Sequence, residues 1–258
     1  MADRSRPLYR VAVTRTPGEN FSDGITTSGL GKPERETALR QHAAYIEALR
    51  SAGLEVVVLP PDPGFPDGSF VEDTAGVLPE IAVITNPGAP SRTGETASIR
   101  PVLAQFRRLE AIEPPGTLEG GDVLRTEKRL FVGLSGRTNA EGIRQLERIV
   151  RPFGYATSAI PIGAFLHLKS GVAYIGDGRL IAAPELSGQF KGYEIVTIAQ
   201  EETYAANCLR IDHRRLAVAK GFPRITEALL RLGYEIDELE MTEFQKMDGG
   251  LTCLSLLF

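Results

Sequence analysis

The sequence predicts an α/β fold built as a closed ring of five pseudosymmetric units. Three observations carry that expectation. One order of elements recurs along the 258 residues: a short strand, a loop, a polar-tipped strand, a tight hairpin, a returning strand and a helix. The period is about 40–50 residues, a range in which repeats build stacked or circular architectures. The last copy lacks its returning strand and helix, and the N-terminal segment holds one of each.

The elements follow in order. Residues 9–14 read as a strand with no partner nearby in the chain. Residues 33–52 predict a helix, because Leu39, Ala43, Ile46 and Leu49 fall near helical spacing. The first unit opens on the β-branched strand Glu55–Leu59 and a Pro/Gly/Asp loop at 60–69. Residues 70–78 and 81–85 form its hairpin strands, and a helix is expected from Gly94 to Arg108, kinked or delayed by Pro101. The second unit repeats this with 118–124, 130–133 and a helix at 139–153. In the third, Gly176-Asp-Gly178 turns residues 166–174 into 180–183, a strong hairpin signal. The fourth pairs 204–209 with 216–219 ahead of a helix at 223–232. The fifth has 234–239 and 249–255, and residues 9–14 should pair beside it to close the ring. A closed ring also removes open sheet edges.

Glu72-Asp73, Glu119, His167, Asn207 and Cys253 stand at roughly the same place in successive units. In a ring these positions face a common axis, so acids, a histidine and a thiol would share one pocket. A lone cysteine in an apolar stretch is usually a small buried hydrophobe; its place in the ring makes Cys253 a candidate nucleophile. Gly249-Gly250 before it allows a sharp turn or close approach to a ligand. Cys208 lies one residue past its tip and reads as core. His167 is the candidate general acid/base, while His42 and His213 read as packing or surface residues. Buried carboxylates need a proton or a cation. Glu72, Asp73 and Glu119 therefore fit either structural ion pairs with arginine or a planar guanidinium ligand. Asp67 extends the acidic set. Arg92 and Arg137 follow returning strands and, as a pair, suit a substrate carboxylate.

The remaining features exclude. A net charge of −4 argues against a nucleic-acid binder. Two cysteines make no disulfide framework and suit the cytoplasm. Residues 1–6 are charged and lead into no secretory apolar core, and no run of about 18 apolar residues exists to span a membrane. Gly24 to Lys32 fails as a phosphate loop, since Thr26 and Pro33 stand where glycine and Ser/Thr belong; it reads as a mobile flap. Neither Cys-x-x-Cys nor His-x-x-x-His occurs, so no metal site is expected.

At these residues the chain resembles the dimethylarginine dimethylaminohydrolases of the guanidino-group-modifying enzyme superfamily. The resemblance covers nearly the whole chain: Ile25-Thr-Thr-Ser28, Phe65-Pro-Asp67, Phe70-Val-Glu-Asp73, Ser91-Arg92, Glu119, Arg137-Thr-Asn-Ala-Glu-Gly142, His167-Leu-Lys169, Tyr204-Ala-Ala-Asn207 and Asp248-Gly-Gly250 with Cys253. It implies a single domain, residues 1–258, with the fivefold α/β propeller called the pentein fold. It implies Cys253 as nucleophile, His167 as proton donor and Glu119 in the catalytic set. Glu72 and Asp73 would bind the guanidinium, Arg92 and Arg137 the α-carboxylate, and Asp67 the α-amino end, with Phe70 and the flap residue Ile25 also against substrate. The implied reaction is hydrolysis of Nω-methylated arginine to citrulline and a methylamine through a covalent thiouronium. No metal or organic cofactor is implied. The expected partner is the small-molecule substrate alone, with no nucleic acid or membrane, on a monomer or homodimer. Arginine deiminases and amidinotransferases are the nearest alternatives, but they resemble this pattern with an aspartate where Lys169 stands here. A non-catalytic amino-acid-binding propeller is the alternative of another class.

Overall fold

The computed structural model describes residues 7–258; the charged start at 1–6 lies outside the described residues. Five three-stranded sheets form among the described residues, all on one plan. A middle strand pairs antiparallel with one neighbour and parallel with the other. Ala75–Val77, Ala82–Ile84 and Leu109–Ala111 make the first. Val123–Arg125, Arg129–Leu134 and Ala156–Pro161 make the second. The third holds Val172–Gly176, Arg179–Ala182 and Glu194–Thr197, and the fourth Leu209–Arg210, Arg215–Ala219 and Glu235–Leu239. The ring closes through the chain ends. Val11–Arg15 lies between Leu256–Leu257 and Glu55–Leu59, with Val13 opposite both Leu256 and Val57. This is the fivefold α/β propeller expected from the repeat.

A hairpin gives the antiparallel pair in four of the sheets, and the two chain ends give it in the fifth. The parallel neighbour needs a crossover of a dozen or more residues. Arg35–Ser51, Ala140–Val150 and Pro223–Arg231 supply it as full helices. Asn139 caps the second of these by accepting the Gly142 N–H at 2.8 Å. The helix expected at 94–108 is a correction. Gly94 takes φ +99°, a short 3-10 turn covers Glu95–Ala97, and one α-turn covers Arg100–Leu103. Pro101 has no N–H to donate back, so it sits in the first turn of this α-turn and no helix runs into it from Gly94.

Apolar side chains gather in separate clusters, not at one centre. Ala12, Tyr45, Leu49 and Leu254 pack in one, and Ile175, Ile181, Val218 and Leu229 in another. The inner ends of the units are left to polar groups. These are not strand tips, as the sequence suggested, but 3-10 turns: Val71–Thr74, Gly120–Asp122, Leu168–Ser170, Gln200–Ala206 and Thr252–Leu254. The same i to i+3 bond recurs in each. Asp73 N–H donates to Phe70, Asp122 to Glu119, Ser170 to His167, Asn207 to Tyr204 and Cys253 to Gly250, at 3.0–3.3 Å. Near the axis there is no sheet partner, so the backbone satisfies itself locally.

The turns touch in sequence around the ring, 252–254 with 71–74, then 120–122, 168–170 and 200–206. Their contact is tight. A Cβ on Gly120 would sit 1.9 Å from the Glu72 carbonyl oxygen. Gly120→Ala should therefore cost about 3 kcal/mol, read as a lower urea midpoint at unchanged m-value. A wild-type midpoint would contradict this packing of the turns.

Candidate active site

Cys253 sits half-buried on the last turn, where the Gly250 N–H donates to its Sγ at 3.3 Å. Tyr45 from the first helix meets Ser255 at 2.6 Å and so steadies the segment that carries the thiol. Burial, with Glu72 and Asp73 close by, pushes the thiol up to about 12. At neutral pH it is uncharged.

His167 precedes the third turn, which Asp122 anchors by accepting the Leu168 N–H at 2.9 Å and the Ser135 hydroxyl at 2.7 Å. Its Nε2 shares a 2.7 Å hydrogen bond with Glu119 and lies 3.9 Å from Asp73. Burial disfavours its charge. Asp73, the Glu119 bond and Asp122 outweigh burial and carry the imidazole up to about 9. Asp73 shows the reverse: burial would raise it, but His167, Arg92 and the Gly121 N–H hold it down to about 2. The free site thus pairs a neutral thiol with an imidazolium.

Cys253, His167, Asp73, Asp67, Phe70, Arg92, Arg137 and Ile25 all line one cavity of about 30 Å³. The three acids expected on the guanidinium are divided, however. Asp73 lines the cavity, whereas Glu119 is fully buried behind His167 and also accepts the Ala89 N–H at 3.1 Å. Glu72 turns to Lys169 at 2.5 Å and to the Thr252 hydroxyl at 2.8 Å. Like charges cannot share a buried site without counter-charges, and each acid has taken its own. Beyond the Glu72–Lys169 pair lies a second cavity of about 150 Å³, which reaches none of Cys253, His167 and Asp73.

The two arginines also differ. Arg92 is buried, and its guanidinium reaches Asp73 at 2.6 Å, Glu95 at 2.6 Å and the Phe70 carbonyl at 3.0 Å. Arg137 makes one long contact, 3.5 Å, to Glu119. Its donors are the more available for a ligand carboxylate.

The flap reaches the cavity through Ile25. The Ile25 N–H donates to Asp67 at 3.1 Å, so this contact runs through backbone and not through the isoleucine side chain. Thr26 and Ser28 both donate to the Lys246 carbonyl at 2.7 Å, and the Thr27 N–H donates to Asp248 at 2.6 Å. Asp248 was missed as a site residue, although it lines the cavity at φ +57°. Aspartate tolerates that region, so its place before two glycines was a usable signal. Met247 and Leu166 also line the cavity, and nothing in the sequence marked them. Gly249 lines the cavity as well, and a side chain there is excluded, since a Cβ would strike the Phe70 ring at 2.1 Å.

Asp73, Glu119 and His167 bring one ligand atom each within 4.8 Å of one another, a grouping that linear motifs do not reveal. A metal ion there would have to displace the proton between His167 and Glu119 and sit beside the Arg92 guanidinium. Cys208 packs with Leu216 and Val218 as core, as expected. His42 is buried against Phe244. Asn86 donates to the Gly116 carbonyl at 2.7 Å and ties the first two units together. No helix among the described residues is long and apolar enough to cross a membrane.

This constellation has close parallels. A family model described as N,N dimethylarginine dimethylhydrolase, eukaryotic, matches residues 26–252. The N(G),N(G)-dimethylarginine dimethylaminohydrolase of Pseudomonas aeruginosa is 42% identical over 255 residues, covering 97% of this chain and 100% of the relative. A cysteine-to-serine variant of the Pseudomonas aeruginosa enzyme complexed with citrulline superposes with a TM-score of 0.95 at 41% identity, over 97% of this chain and 99% of that one. A histidine-to-glycine variant of a dimethylarginine dimethylaminohydrolase, as its adduct with S-methyl-L-thiocitrulline, gives 0.95 at 41% identity, over 97% and 100%. With the family model, the fold and 42% identity over 97% of the chain in agreement, the chain belongs to the dimethylarginine dimethylaminohydrolase family.

Proposed function

We propose that this chain is a single catalytic domain that hydrolyses Nω-methylated arginine to citrulline and dimethylamine or methylamine. The observation that carries this is the pairing, in one cavity, of a neutral thiol on Cys253 with an imidazolium on His167, beside the carboxylate of Asp73.

A neutral thiol is a weak nucleophile. The substrate brings the missing charge: a guanidinium held by Asp73 places a cation beside Cys253, and the thiol releases its proton to solvent to become the thiolate. The sulfur attacks the central carbon. The His167 imidazolium then gives its proton to the methylated nitrogen as the carbon–nitrogen bond breaks, and the amine leaves. An S-alkylthiouronium remains on Cys253. Neutral His167 next takes a proton from water. The hydroxide adds to the thiouronium carbon. The carbon–sulfur bond breaks as the new hydroxyl gives its proton to solvent and becomes the citrulline carbonyl, and citrulline departs with the thiolate restored. Glu119 touches no substrate in this scheme; it orients His167 and sustains its charge. Glu72, neutralised by Lys169, supports the floor of the site. Lys169 stands where the rival deiminases carry a carboxylate, which leaves one acid fewer to grip the guanidinium nitrogens and more room for N-methyl groups. Both cysteines are free thiols, in keeping with a reducing compartment such as the cytoplasm.

A citrulline assay with asymmetric dimethylarginine, monomethylarginine and arginine as separate substrates tests the proposal. Turnover of the methylated pair well above arginine is expected. Faster turnover of arginine would establish a deiminase instead, and binding without citrulline a non-catalytic propeller. Arg137→Ala should raise KM by roughly 10–100-fold with little change in kcat, since its contact serves a distant carboxylate and not the reacting carbon. An unchanged KM would remove Arg137 from the substrate site.

A further inference from the structure

We propose that Asn207 is a positioning residue for the nucleophile: it clamps the turn that carries Cys253 and so aims Sγ into the cavity. This rests on the role proposed for Cys253. Asn207 holds the fourth place in the ring of polar turns, and it is the one tip to which the reaction assigns no task. It is buried, and its side chain bonds to two of the other turns. Oδ1 accepts the Thr252 N–H at 2.9 Å. Nδ2 donates to Thr252 Oγ1 at 3.1 Å and to the Lys169 carbonyl at 2.9 Å. Thr252 Oγ1 donates onward to Glu72 at 2.8 Å, and Glu72 takes the Lys169 ammonium at 2.5 Å. A closed polar circuit thus runs beneath Cys253, and Asn207 is its only neutral side chain besides a hydroxyl.

Asn207 also reaches the thiol by a second route. A Cβ on Gly250 would lie 2.5 Å from Asn207 Cγ and Oδ1, and the Gly250 N–H is the donor to Sγ. Asn207 therefore braces residues on both sides of the bond that holds the sulfur. The amide is fitted to this place. The Thr252 N–H must meet an oxygen, which fixes the amide orientation, and two acceptors must then meet the NH₂ group. Alanine has neither. Aspartate keeps the acceptor, loses both donors and adds a negative charge near a thiol already flanked by Glu72 and Asp73.

Two readouts separate positioning from a merely structural role. In Asn207→Ala, kcat per alkylatable Cys253 should fall by about 10–100-fold with KM within about threefold, since a small misplacement of a reacting group is costly in rate. In Asn207→Asp, the pH profile of Cys253 alkylation by iodoacetamide should move upward relative to wild type. Asn207→Ser, which is smaller but keeps a hydroxyl, serves if the alanine variant fails to fold. Wild-type kcat per thiol, together with an unmoved alkylation profile, would overturn the proposal. If Cys253→Ser instead turned over substrate normally, the nucleophile assignment would fail, while the alkylation profile of Asn207→Asp would still report on the clamp.

Discussion

Cys253→Ser should keep the fold and lower citrulline release from dimethylarginine by a factor on the order of 10⁴ or more. The substitution is nearly isosteric, and the turn is held by bonds that do not involve sulfur, from Asn207 to Thr252 and from Tyr45 to Ser255. What changes is the nucleophile. A hydroxyl is far harder to ionise than a thiol: the nearby Glu72 and Asp73 carboxylates disfavour an anion there, and His167 is already protonated at neutral pH. Substrate affinity should persist, because Asp73, Asp67 and Arg137 are untouched. Thermal unfolding and ligand binding should therefore resemble wild type while turnover vanishes. Residual turnover within tenfold of wild type would mean that water attacks the guanidinium directly.

His167→Gly should lower kcat by about 10²–10⁴-fold, and the loss should fall on both chemical steps. Without the imidazolium the amine leaves unprotonated, and without neutral imidazole the water is not activated. Substrates that carry a better leaving group should bypass the first deficit but not the second. The same residue sets a pH dependence. In wild type, kcat/KM should fall as pH rises through about 9, where His167 loses its proton. The stability consequence has the same sign. His167 is raised from 6.5 to about 9, so its contribution is complete below 6.5 and is lost as pH climbs through 9. Asp73 is depressed from 3.8 to about 2, so its contribution is present above 3.8 and is lost as pH falls towards 2. Glu119→Gln should shift the alkaline limb of activity downward, because the glutamine keeps a hydrogen bond but not the charge.

The ring was legible because its signals are local. Gly176-Asp-Gly178 and Asp212-His213 announce hairpins wherever they stand, and the missing fifth strand was found by counting. The polar tips were placed correctly around the axis but given the wrong backbone. Residues 70–78 and 166–174 alternate well enough to read as continuous strands, and only crowding at the axis turns their starts into 3-10 turns. The division of labour among the acids was not legible at all. Glu72 and Lys169 are 97 residues apart, and no pattern in the chain pairs them. The Arg92–Glu95 ion pair spans Gly94 at φ +99°, so it is no helical i,i+3 pair and spacing alone did not announce it. It shows why Arg92 is less free than Arg137 to clamp a substrate. Asp248 carries the one backbone angle that the two following glycines were expected to supply.

Cys253 should carry a thiouronium once the methylated nitrogen has left. Intact-mass measurement of the His167→Gly protein tests it most directly, after mixing with asymmetric dimethylarginine and, separately, with monomethylarginine. Both substrates lose their methylated amine in the first step, so both should leave an adduct of the same mass, mapping to the peptide that contains Cys253. Adducts that differ by a methyl group, or no adduct on Cys253 from either substrate, would contradict it.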